Sequence, residues 1–251
     1  MVWKAALATS QDVAPGIMGS VRFQTVATPQ VPLLKEQIDA AQAIYIKYTA
    51  SWRRTDDALI ALDEAMPGFG HPAALIKVAA LDKLYGTYVP YVDSVALRVE
   101  AVLDGVDRAD LASAGPQLVE DLAAVTVPSG GIIRYRSFAS KFAHFFIDHH
   151  RFPIHDSFAA DALRAHLGRH APAPEDDKAT YMDRAEAFWE LADSAGESDT
   201  RRMDRYLWIV GQYRKWAENS AAKINWEPRR VFEEDPPELA VAAGTWYHPR
   251  D

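Results

Sequence analysis

From Leu34 onward the apolar residues return at alternating steps of four and three: Leu34, Ile38, Ala41, Tyr45, Tyr48 and Trp52. That spacing lays one stripe along a helix, whereas a half-buried strand needs alternation with period two. Comparable sets recur down the chain at Val92, Val95, Val99 and Val102; at Leu118, Leu122 and Val125; at Phe138, Phe142, Phe145 and Phe146; and at Met203, Tyr206, Val210 and Tyr213. No segment alternates long enough for a convincing strand, and no internal repeat appears. Nine or so helices joined by short loops predict an all-α, multi-helix globular domain with one core.

Breakers divide the chain. Gly, Pro and polar residues make 1–30 an irregular arm, 31–225 the helical domain and 226–251 an irregular tail. Thr55-Asp56-Asp57 offers an N-cap and first-turn acids for a short helix ending near Met66, before Pro67-Gly68-Phe69-Gly70. The stretch from Ala73 to Tyr85 is apolar on most of its circumference, which predicts a central helix. Val127–Gly131 is a loop, Pro153 breaks the chain, and a helix restarts at about Asp156 or Ser157. Ala171-Pro172-Ala173-Pro174 is a linker, and two helices carrying Tyr181 to Trp189 and Met203 to Tyr213 follow.

Composition removes several chemistries. With no cysteine, disulfides, thiolate catalysis and Cys-ligated zinc are excluded. No apolar run approaches the roughly 18–20 residues that span a bilayer, so a cytoplasmic protein without a membrane partner is expected. The formal charge of −8 argues against a protein that coats nucleic acid non-specifically. Yet residues 131–151 hold Arg134, Arg136, Lys141 and Arg151 against the single acid Asp148, so positive charge is concentrated there.

That basic window contains the most informative pattern: Ser137-Phe138-Ala139-Ser140-Lys141-Phe142-Ala143-His144-Phe145-Phe146, then Phe152-Pro153-Ile154-His155-Asp156-Ser157-Phe158. A helix with alanine and lysine near its start leads through a short loop to a proline and an aspartate that opens the next helix. Together with the segments 75–87 and Arg202-Met203-Asp204-Arg205-Tyr206-Leu207-Trp208, this resembles the helix-hairpin-helix DNA glycosylase superfamily, and more closely its bacterial branch akin to 8-oxoguanine DNA glycosylases. Order and spacing agree over residues 71–216.

The resemblance implies that Asp156 is the carboxylate that stabilises charge on a sugar as its base departs. It gives Lys141 the part of nucleophile or phosphate contact, makes Arg134 and Arg136 anchors on DNA, and makes Tyr85 the side chain that fills the hole left by a flipped base. No cofactor or metal is implied, and DNA is the partner. Two departures stand out. Aligning Ala139 with the family alanine puts Ser137, and not Lys141, at the family's lysine, with Lys141 one turn further on. Where the family's hairpin carries phosphate-gripping glycines, this chain reads Ile132-Ile133-Arg134-Tyr135-Arg136, and Gly130 and Gly131 come too early to replace them.

Other readings stay open. Asp156 also suits an ordinary N-cap, which contributes about 1 kcal/mol. A catalytically inactive relative kept as an interaction module fits the acidic charge and the missing glycines. The cluster of His144, Asp148, His149, His150, His155 and Asp156 offers ligand types for zinc or iron, the basis of a metal-dependent hydrolase.

Overall fold

A computed structural model of the chain describes residues 29–249, apart from 174, 175 and 177. Among them are twelve α-helices: α1 (Lys35–Tyr48), α2 (Ala50–Ala65), α3 (His71–Tyr85), α4 (Val92–Leu103), α5 (Arg108–Ser113), α6 (Gln117–Ala123), α7 (Arg136–Phe146), α8 (Ser157–Leu167), α9 (Tyr181–Ser194), α10 (Thr200–Glu218), α11 (Trp226–Glu234) and α12 (Pro237–Ala243). The expected arm falls outside the described residues but for its last two, and so does part of the 171–174 linker. No described helix is long and apolar enough to cross a membrane.

The mostly helical fold agrees with the periodicity, but the single core does not. Two hydrophobic clusters form. The first gathers Ile38, Ile44, Leu163, Leu191, Tyr206, Val210 and Phe232 from α1 and α8–α11. The second gathers Leu59, Val78, Val99, Leu122, Phe142 and Phe146 from α2–α7. Trp189 packs against both. Periodicity reports which face of each helix is apolar, and says nothing of which helices share a core.

The boundary between α1 and α2 corrects a second expectation. Trp52 belongs to α2, and Thr55–Asp57 lie inside that helix, which starts at Ala50. The first turn is capped from afar: the Glu227 carboxylate accepts the N–H groups of Ser51 (2.9 Å) and Trp52 (3.2 Å). A cap 176 residues away leaves no local signature. Asp56, inside the helix, does not cap it, and its carboxylate accepts the Tyr45 and Tyr85 hydroxyls instead.

The expected irregular tail is largely helical. α12 lies along α1, where Glu238 meets Lys47 at 2.8 Å and the Gln37 amide reaches the Ala242 carbonyl. Pro236-Pro237 reads as a breaker but serves as a helix start, since Pro at the first helical position lacks only an N–H that has no partner there. A two-stranded antiparallel hairpin, β1 (Ala124–Thr126) and β2 (Ile132–Arg134), interrupts the helices with Val125 opposite Ile133. Three-residue strands are too short to show alternation.

Candidate active site

The two clusters meet at a cleft. Tyr45 of α1, Trp52 and Asp56 of α2 and Tyr85 of α3 line one side. His144 and Phe145 of α7, Asp156 and Ala159 at the start of α8, and Arg201, Asp204, Arg205 and Trp208 of α10 line the other. Aromatic contacts run through the lining: Trp52 packs edge-on against Tyr85 (centroids 5.1 Å) and Trp208 (5.2 Å), and Tyr85 lies tilted against Phe145 (5.0 Å). Such walls suit a planar ring.

Asp156 caps α8, its Oδ1 accepting the Ala159 N–H at 2.8 Å. The capping reading is therefore correct, and it coexists with a place in the cleft. The helix N-terminus favours a negative charge at that point. What distinguishes this cap is the loop that delivers it. His144 Nδ1 meets the Phe152 carbonyl at 2.9 Å, and the Tyr181 hydroxyl donates to the Pro153 carbonyl at 2.8 Å. The Ile154 N–H donates to Asp204 at 3.0 Å, and the His155 N–H to Ser140 Oγ at 3.0 Å. Every residue from Phe152 to His155 is thus held by a side chain of α7, α9 or α10. Behind it, α8 approaches α10 so closely that a Cβ on Gly211 would land within the Phe158 carbonyl.

Lys141 departs from expectation. It is 6% exposed, so it is neither solvated nor in reach of a backbone phosphate. Its amine donates to Ser137 Oγ at 2.8 Å, which brings a lysine amine to the hydroxyl of the residue aligned with the family's lysine. Burial pushes the amine below its ordinary value, while Asp156 and Asp204 pull the other way.

Tyr85 also turns inward. Its hydroxyl, with that of Tyr45, donates to the Asp56 carboxylate, and Arg205 lies 3.7 Å from the same group. It is a wall of the cleft, already packed and hydrogen-bonded. Three residues on, Tyr88 is 84% exposed and holds a left-handed backbone (φ 53°).

The hairpin arginines are tied down unequally. Glu120 takes Arg136 Nε at 2.8 Å, with Arg136 20% exposed, and also accepts the Tyr181 N–H at 2.6 Å. Arg134, 52% exposed, lies 3.7 Å from the same carboxylate. One acid thus restrains both expected anchors, and Arg136 is turned into a strut between α6 and α7.

The sequence reading missed Asp56, Asp204, Arg201 and Arg205. Asp204 is 7% exposed, and burial raises its carboxyl well above the ordinary range, with the Asp156 charge adding to the effect. Arg205 is held by Asp56, by Gln42 (3.2 Å) and over the Tyr45 ring (4.2 Å). The spacing of Asp204 and Trp208, one turn apart on a buried face, was the available signal. The histidine cluster does not converge: among the described residues no three His, Asp or Glu side chains are grouped to hold a metal. Burial pushes His144 and His155 down to about 3, so both are neutral at pH 7.

A family model described as HI_0787_N, N-terminal domain, matches residues 34–151. The match takes in α1 to α7, hence the Tyr45, Trp52, Asp56 and Tyr85 wall, and stops before the loop that carries Asp156. No curated protein and no solved structure matches the chain.

Proposed function

We propose that this chain is a DNA base-excision glycosylase-like protein that acts on a damaged or modified base. The observation that carries this reading is Asp156, a carboxylate on a loop restrained at each residue, facing an aromatic cleft between two lobes. Breaking an N-glycosidic bond builds positive charge on the sugar. A fixed carboxylate beside that carbon stabilises the charge without reorganising, which is how such sites obtain most of their rate. Trp52, Tyr85, Phe145 and Trp208 form walls for a base taken out of the helix. Tyr88 replaces Tyr85 as the side chain that fills the gap, because Tyr88 is exposed and Tyr85 is not free to move. Lys141, buried and depressed, is a nucleophile candidate only if substrate binding opens its contact with Ser137.

A panel of duplex and single-stranded oligonucleotides carrying single lesions, assayed for abasic sites, tests the proposal. Release of at least one base by the unmodified chain, abolished by Asp156→Asn with binding retained, is expected. No release across the panel would favour the second reading, an interaction module on the same fold. That reading draws on Glu120, which restrains the hairpin arginines otherwise expected on phosphate.

A further inference from the structure

We infer that Asp204 is a second catalytic carboxyl of this cleft, the general acid that protonates the departing base while Asp156 faces the sugar. This rests on the glycosylase reading above and adds the proton source that it lacks.

The geometry comes first. Asp156 and Asp204 line one cleft, yet their surroundings differ. Asp156 sits at the N-terminus of α8, where free N–H groups favour a charge. Asp204 lies in the body of α10, buried, and its carboxylate accepts one backbone N–H, that of Ile154. The groups facing it are the neutral His144, whose Nδ1 lies 3.5 Å from Oδ2, with Lys141 of α7, Tyr181 of α9, Arg205 of its own helix and the Asp156 charge. None is a paired cation: Lys141 is bonded to Ser137, and Arg205 is engaged by Asp56 and Gln42. Of the two carboxyls, the one buried in the body of α10 with no paired cation beside it is the one placed to hold a proton. The raised Asp204 carboxyl agrees with this division.

The step balances. The C1′–N bond breaks with its electron pair going to the base nitrogen, and the Asp204 proton moves to the base. Water adds to C1′ and gives its proton to Asp156. Exchange with solvent returns both carboxyls to their starting states.

Asp204→Asn keeps an oxygen for the Ile154 N–H and removes the acid. Single-turnover release would be measured from duplexes carrying 8-oxoguanine, which leaves as a neutral base needing a proton, and 7-methylguanine, already cationic. The variant is expected to lose about 100-fold or more on the first and to stay within a few-fold of the unmodified chain on the second. The high-pH limb of the 8-oxoguanine profile should vanish with it. Equal losses on both duplexes would make Asp204 a mere support of the loop and overturn the inference, leaving the Asp156 reading intact. Release of neither base by the unmodified chain would overturn the inference, which would then have no departing base to protonate, while the Asp156 reading would stand or fall on the wider lesion panel. An independent check is infrared difference spectroscopy of the free protein at pH 7. A protonated-carboxyl band that disappears in Asp204→Asn is expected, and a carboxylate band in its place would overturn the assignment whatever the activity.

Discussion

The two ends of α7 are built on opposite principles. At its C-terminal end the loop Phe152–His155 is gripped residue by residue from α7, α9 and α10. At its N-terminal end the hairpin projects Ile132 and Arg134 into solvent, and its arginines are restrained through the single carboxylate of Glu120. The resemblance to glycosylases leads one to expect function at both ends. Only the first has the rigidity that pre-aimed electrostatics require. The hairpin end is instead tied by ion pairs to Glu120.

A large effect is expected behind the rigid end. Gly211→Ala forces the Phe158 carbonyl away from α10, and overpacking of this kind costs roughly 3 kcal/mol. Thermal unfolding should show a drop of several degrees. A variant as stable as the parent would mean that α8 is not fixed by that approach. Acid should act on the same end. His144 and His155 are held neutral by burial, at about 3 each, and His166 at about 4. The unfolded chain therefore binds more protons below its ordinary histidine range near 6.5. Stability is full above that value and falls as pH drops towards 4, by up to about 1.4 kcal/mol per pH unit for each histidine. Hydrogen exchange should then show the 152–156 amides opening before those of the hairpin, which carries no histidine. The reverse order would break the comparison.

A smaller effect is expected from Ser140→Ala, which strands the His155 N–H at a cost of about 1–2 kcal/mol. Smallest are the hairpin changes. Arg134→Ala should leave stability within about 0.5 kcal/mol and lower the salt slope of DNA binding by about one. Arg136→Ala should leave that slope unchanged, since its guanidinium is engaged by Glu120. Equal slopes for the two variants would show that both arginines reach phosphate.

Where the sequence was legible, the information was local. The helical stripes, the break at Pro153 and the cap at Asp156 each lie within a few residues of their cause. What escaped was non-local. α2 starts early because Glu227 caps it, and Asp56 reads as a first-turn acid until that cap is seen. Arg201, Asp204 and Arg205 look like a solvated charged face, but Asp204 is buried because α8 and its preceding loop cover α10. Lys141 looks exposed by residue type, and is buried because Ser137 offers its amine a partner one turn away. The tail looks like a breaker-rich end and folds as α11 and α12 because α1 offers an apolar face.

The most direct test of Asp156 needs no knowledge of the base. Two duplexes differ at one position, one holding a neutral tetrahydrofuran abasic site and the other a cationic pyrrolidine in the same place. The unmodified chain should bind the pyrrolidine duplex at least about tenfold more tightly, a difference of 1.4 kcal/mol, and Asp156→Asn should erase that preference while leaving tetrahydrofuran binding unchanged. Equal affinity of the unmodified chain for the two duplexes would contradict a carboxylate placed to meet a sugar cation.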